Sequence, residues 1–241
     1  PALTFAASGF VNGDTLAVLS GSLVRAQGSG VGSYAINQGT LSAGNNYTIS
    51  YTPADLTISP ATLTVTATAL SKIYGATDPV LAYSFAGLTN GDSAAVFSGA
   101  LARQSGESVA TYAENIGSLA AGPNYVVSFI GADFTISKAT LSITAAPRSK
   151  TYGTTDPALT YGVSGLANGD GLGVLSGNLT RTSGSNVGSY SIALGTLSAG
   201  SNYNISFVGA NFTITKANLD VYADTLAKVY GETDSALTLN T

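Results

Sequence analysis

Three tyrosines, Tyr74, Tyr152 and Tyr230, stand 78 residues apart, and around each of them the chain repeats itself without a gap. Lys72-Ile73-Tyr74-Gly75-Ala76-Thr77-Asp78-Pro79 returns as Lys150-Thr151-Tyr152-Gly153-Thr154-Thr155-Asp156-Pro157. It begins a third time as Lys228-Val229-Tyr230-Gly231-Glu232-Thr233-Asp234. A period of this length argues against one large core, because each period has to be a supersecondary unit of its own, set in tandem. A unit of this size can bury a modest core unaided, with little stability to spare.

Cutting at Lys138-Ala139 and Lys216-Ala217 divides the chain into four. Residues 1–60 form a partial module lacking its first strand, and 61–138 and 139–216 are complete modules. Residues 217–241 supply the opening strand and loop of a further one. About half of the aligned positions agree between the two complete copies. Because the chain opens in mid-repeat, it is expected to be part of a longer polypeptide. Ala217–Asp234 is expected to pack as the opening of a next module, by strand donation to the start of another chain.

Within a module the apolar residues alternate with Ser and Thr, which is the mark of half-buried strands. Leu141–Ala145 reads as the first strand, with Leu63–Ala67 and Leu219–Ala223 as its copies. Leu159–Val163, Gly177–Arg181, Val187–Ile192, Tyr203–Phe207 and Asn211–Thr215 follow, with Gly209 as a bend between the last two. One short helical turn per module is expected after Asn-Gly-Asp, most clearly over Asp92–Val96. The predicted fold class is therefore mainly β, a tandem array of small modules. Only Lys138, Ala139 and Thr140 separate Phe134–Ser137 from the next strand, so the array is expected to form an elongated rod.

Composition removes most chemistry. There is no Cys, His, Met or Trp, which excludes Ser-His-Asp and Cys-His catalysis, His or Cys zinc sites and disulfides. Nine Lys and Arg spread over three repeats make no basic stripe, so no nucleic-acid partner is expected. No apolar run of about 18 residues suggests membrane insertion. No catalytic, cofactor or metal site is assigned, and the chain is read as a non-enzyme.

The repeated polar residues have structural readings. Asp14, Asp92 and Asp170 close an Asn-Gly-Asp turn and are expected to cap the turn that follows. A calcium loop would show three or more acidic ligands where each turn here shows one. Lys72, Tyr74, Gly75 and Asp78, with Lys150, Tyr152, Gly153 and Asp156 and with Lys228, Tyr230, Gly231 and Asp234, are read as a structural loop at each module joint. Arg25, Arg103 and Arg181 fall in one column, and the lysines in another, each able to neutralise a repeated Asp. The tyrosine columns 34/112/190 and 47/125/203 suit core packing better than stacking on a sugar. Lys138 and Lys216 raise an isopeptide cross-link, against which Pro60 stands in the same column.

Five motifs keep their order and spacing in both complete copies: Lys-x-Tyr-Gly-x-x-Asp-Pro, Gly-Leu-x-Asn-Gly-Asp, Ser-Gly-x-Leu-x-Arg, Gly-x-Leu-x-Ala-Gly-x-Asn-Tyr and Phe-Thr-Ile-x-Lys-Ala. This pattern resembles the MBG domain of the YGX type, found in tandem in large secreted bacterial adhesins. Asp234-Ser235 departs from it, as do Phe10-Val11 and Pro60. The resemblance implies secretion to the bacterial cell surface, a module akin to a β-grasp, and a stalk or matrix role in adhesion or biofilm. It implies partners that are neighbouring repeats or copies of the same protein end to end. In an alternative reading each module is a weak multivalent binder of glycans or of a host or matrix surface.

Overall fold

The computed structural model describes residues 1–236. The expected opening of a fourth module runs past this limit, and residues 237–241 lie outside the described residues. The chain is mainly β and divides into two compact units, Pro1–Ala139 and the part from Thr140 onward. The first unit holds the repeats 1–60 and 61–138, and the second holds 139–216 with the segment after it.

In the second repeat the first strand and the next-to-last strand lie side by side and parallel. Ala61–Ala67 pairs with Tyr125–Ile130 from Tyr125↔Ala61 to Ile130↔Thr66, and on its other side runs antiparallel to Tyr83–Ala86. The chain then bends, and Leu70–Ile73 pairs in parallel with Asp133–Ser137. That strand in turn carries the antiparallel Ala110–Asn115, and Ala102–Arg103 closes the sheet. Both long strands thus cross from one sheet into the next. Alternation told which face each strand buries, and the structure shows it. Leu63, Val65 and Ala67 point inward, and so do Phe134 and Ile136 one sheet on.

The third repeat keeps this order, with Ala139–Ala145 between Tyr161–Ser164 and Tyr203–Val208. Ala210–Thr215 lies between Arg148–Thr151 and Gly188–Ala193. Gly209 separates Tyr203–Val208 from Ala210–Thr215, which belong to different sheets, so it marks the bend where the strand changes sheet. The core gathers Ile143, Ile192, Leu197, Phe212 and Ile214. The short helical turns are single 3-10 turns, Leu16–Val18, Ala94–Val96 and Leu172–Val174. No α-helix occurs among the described residues. Joints are shorter than the spacing suggested, since only Lys138 stands between Asp133–Ser137 and Ala139–Ala145.

The first repeat differs from the other two in its strands. Gly32–Asn37 pairs with Ala54–Ile58 and with Val24–Arg25, but residues 5–8 and 47–52, the counterparts of 83–86 and 125–130, form no strand. The strand expected over Leu219–Ala223 is likewise not formed. Its residues are exposed and pair with no neighbouring strand.

One core position breaks the pattern. Glu114 stands in the column of Ile36 and Ile192, only 4% exposed, and neither of its carboxylate oxygens has a partner. Burial pushes its pKa above the ordinary 4.5. A folded-state pKa raised above the unfolded one means that the folded repeat tolerates the neutral acid. The destabilisation therefore grows as pH rises through 4.5 and beyond. Glu114→Ile is expected to stabilise the second repeat by about 1–3 kcal/mol at pH 7. Urea unfolding at pH 7 and pH 4 checks this, and the gain should shrink at the lower pH.

Candidate functional site

The Tyr-Gly loop begins where Leu70–Ile73 ends. Tyr74 donates its N–H to the Ser137 carbonyl (2.8 Å), and Ala76 donates back to Ile73 (3.0 Å), closing a turn over Tyr74-Gly75. Gly75 has φ +81°, the left-handed value that the third residue of such a turn requires and that glycine adopts without strain. Tyr152-Gly153 repeats the arrangement, with Tyr152 N–H on Thr215 (2.8 Å) and Thr154 N–H on Thr151 (3.1 Å). Around Tyr230-Gly231 the same turn forms, Glu232 N–H on Val229 (3.1 Å), with no strand beside it. Its conformation is therefore local to the sequence. Tyr74 is buried, whereas Tyr152 and Tyr230 are exposed.

From this loop an Asp reaches two cations. Asp78 takes Lys72 Nζ on Oδ1 (2.6 Å) and Arg103 Nε on Oδ2 (2.6 Å). Asp156 takes Lys150 Nζ (2.7 Å) and Arg181 Nε (2.6 Å) in the same way. In the second repeat Glu107 joins, paired with Lys72 and with Arg103 (2.7 Å). The arginines are fixed on three further sides. Arg103 lies over the rings of Phe134 (4.9 Å) and Tyr112 (5.3 Å), and its Nη1 donates to the carbonyls of Gln104 and Gly106. Arg181 does the same with Phe212 (4.7 Å), Tyr190 (5.3 Å), Thr182 and Gly184. Around Tyr230 the pair Lys228–Asp234 already exists without an arginine.

The arrangement has a clear electrostatic consequence. Hydrogen bonds from the arginine first, and the lysine second, hold the carboxyls of Asp78 and Asp156 at a pKa of about 2 against the usual 3.8. Burial alone would lower the pKa of Lys72, but Asp78 and Glu107 more than offset it and the value is raised. Carboxylates so deeply committed to cations accept no proton near neutrality, so the cluster is unsuited to general-base work. Because the folded pKa is depressed, the network stabilises above about pH 4 and its contribution is lost as pH falls from 3.8 towards 2. Asp156→Asn should therefore lower the melting temperature modestly at pH 6. As pH falls to 2, where the Asp156 carboxyl is about half protonated in the folded parent, the two melting curves should draw together.

The Asn-Gly-Asp column is also a turn, though Asp is not its cap. Asn12, Asn90 and Asn168 have φ near +56°, at 55°, 57° and 55°, and the Asp N–H donates back three residues, to Val11, Thr89 and Ala167. The carboxylate of Asp92 accepts from the Tyr125 hydroxyl (2.7 Å), whose oxygen accepts the Thr89 N–H (3.1 Å). Asp14 with Tyr47 (2.8 Å) and Asp170 with Tyr203 (2.7 Å) do the same. The 3-10 turns are capped instead by Thr15 and Ser93, one residue later, while Gly171 has no side chain to offer. The expectation of a capping Asp is thus corrected: a tyrosine hydroxyl 33 residues away takes the carboxylate.

The second tyrosine column is equally engaged. Tyr112 and Tyr190 donate to the Ser108 and Asn186 carbonyls at 2.8 and 2.7 Å, and each ring abuts a glycine, Gly106 or Gly184. No group of three or more acidic side chains able to hold a metal occurs among the described residues. What the two complete repeats share is one geometry, a loop tied by ions to its own sheet. The model of the MBG domain (YGX type) family matches three times, over residues 1–57, 63–135 and 141–213. The chain belongs to the MBG domain family of the YGX type. No curated protein and no solved structure matches it. MBG repeats are not an enzyme family, and in both complete repeats the Lys–Asp–Arg cluster ties the loop to its own sheet. The columns of Lys, Asp and Arg pointed to it from sequence. Glu107 did not, because its column holds Ser29 and Ser185 in the other repeats.

Proposed function

We propose that these MBG repeats are spacer modules of an extracellular bacterial adhesin or fibre, carrying a binding region away from the cell surface. MBG domains occur in extracellular bacterial proteins, and no helix here is long and apolar enough to cross a membrane. The observation that carries the reading is the junction. One residue, Lys138, joins the last strand of one repeat to the first strand of the next, while the loop at the start of each complete repeat is pinned by Lys72–Asp78–Arg103 or Lys150–Asp156–Arg181. A linker this short leaves little freedom, which suits a part whose work is to set distance. In this reading Tyr74-Gly75 and Tyr152-Gly153 are parts of the module joint, and the number of repeats sets the reach.

Small-angle scattering in dilute solution tests it. Chains lengthened by one and by two further copies of residues 139–216 should gain a constant increment in maximum dimension, about 30 Å per repeat from the size of such a module. A dimension that stays level, or grows only with the square root of repeat number, removes the spacer.

A further inference from the structure

The first and second repeats are joined through Ser59 and Pro60, the residues between Ala54–Ile58 and Ala61–Ala67. A single short tether limits distance, but the backbone dihedrals on either side of it can still turn. Fixing one repeat against the next takes a second attachment, and these two repeats lie in the same compact unit. Asn124, just before Tyr125–Ile130, makes that attachment. Its main-chain carbonyl accepts the N–H of Ala61, which opens the first strand of its own repeat (2.9 Å). Its side-chain Oδ1 accepts the N–H of Val31 (2.9 Å), 93 residues back in the first repeat.

Val31 belongs to a loop that is held firmly to its own sheet. Arg25 donates from Nη1 to the carbonyls of Ala26 (2.9 Å) and Gly28 (2.8 Å) and stacks on the Tyr34 ring at 5.4 Å. The Tyr34 hydroxyl donates to the Gly30 carbonyl (2.8 Å), and the ring lies against Gly28, where a Cβ would stand 2.1 Å from it. Gly32 follows, paired with Ile58, so Val31 sits beside the end of the strand that leads into the tether. The two repeats approach closely here, since a Cβ on Gly30 would come within 3.3 Å of Asn124 Oδ1. Val31 and Asn124 are both exposed, so water competes for the bond. It biases the joint and does not weld it.

We infer that Asn124 is the positioning residue of this joint. Its carboxamide clasps the loop held by Arg25 and Tyr34, while its backbone holds Ala61, and the second repeat thereby keeps one orientation about Ser59-Pro60. Arg25 and Tyr34 then serve the joint as well as their own sheet, because they aim the Val31 N–H at the neighbour. What the clasp needs at position 124 is an acceptor oxygen, which an Asp side chain supplies and an Ala side chain does not. This goes beyond the spacer reading, which is tested by length and does not require the contact.

The chain has no cysteine of its own, so spin labels can be placed at will and their distances read by double electron–electron resonance on the full 241-residue chain. Labels on Ser33→Cys and Thr111→Cys, exposed and in the same column of the first and second repeats, report the joint. Labels on Thr111→Cys and Ser128→Cys, both exposed and both in the second repeat, are the control. The 33–111 distance distribution should be narrow in the parent. Asn124→Ala should raise the share of joints outside that peak roughly fivefold, the effect of losing one exposed hydrogen bond. Asn124→Asp should keep the peak, and the 111–128 distribution should be the same in all three chains. A parent that is already broad, an Asn124→Ala chain as narrow as the parent, or an Asn124→Asp chain as broad as Asn124→Ala overturns the inference. So does a 111–128 distribution that broadens with Asn124→Ala, because the residue would then hold its own repeat and not the joint.

Discussion

Phe212→Ala is expected to destabilise the third repeat by about 3–5 kcal/mol, the loss that truncating a fully buried aromatic ring brings. The ring is fully buried on the central strand Ala210–Thr215, in the core with Ile192 and Ile214. It also carries the Arg181 guanidinium on its face at 4.7 Å, the same arginine that grips Asp156. Removing it opens a cavity and frees the fastening of the Tyr-Gly loop in one step. Hydrogen exchange followed by mass spectrometry would read the loss as faster exchange over residues 188–215, with residues 110–137 of the unaltered second repeat as the internal reference. The first repeat holds Leu56 in this column, only half-buried, and no cation–ring contact to it is present there, since Arg25 stacks on Tyr34 alone.

Gly177→Ala should be comparably severe, above about 4 kcal/mol, for a different reason. Its φ is +88°, and a Cβ there would stand 2.1 Å from the backbone oxygen of Thr196, which cannot turn away as a side chain would. Gly21 and Gly99 meet Thr40 and Ser118 at the same 2.1 Å, so the contact belongs to the fold and not to one copy. Gly173→Ala, four residues earlier in a 3-10 turn with open space around it, is the control. It should be neutral or slightly stabilising, because alanine narrows the unfolded ensemble. Equal effects of the two substitutions on urea unfolding would show that the close approach is not what matters.

The period and the strands were legible because identity at a fixed spacing and alternation of apolar residues are both local signals. Leu141, Ile143 and Ala145 face inward as their alternation requires. Partners were not legible. Alternation tells which face a strand buries and not which strand lies beside it, so the parallel pairing of Ala61–Ala67 with Tyr125–Ile130 emerged only in three dimensions. Side-chain partners far apart in sequence divide in a similar way. Lys72, Asp78 and Arg103 were legible as complementary columns, whereas the carboxylate of Asp170 was assigned to its nearest helical turn and in fact meets Tyr203. A local capping rule has no knowledge of a hydroxyl brought in from a strand 33 residues further along the chain. Glu114 shows its dry environment only through its column, where the other two repeats hold Ile36 and Ile192.

The parallel pair has a mechanical consequence. The second repeat is entered at the start of Ala61–Ala67 and left at the end of Asp133–Ser137, so tension along the chain draws two adjacent strands past one another in opposite directions. Six residue pairs between Ala61–Ala67 and Tyr125–Ile130, and four more between Leu70–Ile73 and Asp133–Ser137, are then loaded together in shear. A pull applied between Ala61 and Ala86 would instead peel an antiparallel ladder open from its end, one pair after another. Single-molecule stretching of the two geometries should give the higher rupture force for the first, which is the direction in which tension along the chain acts.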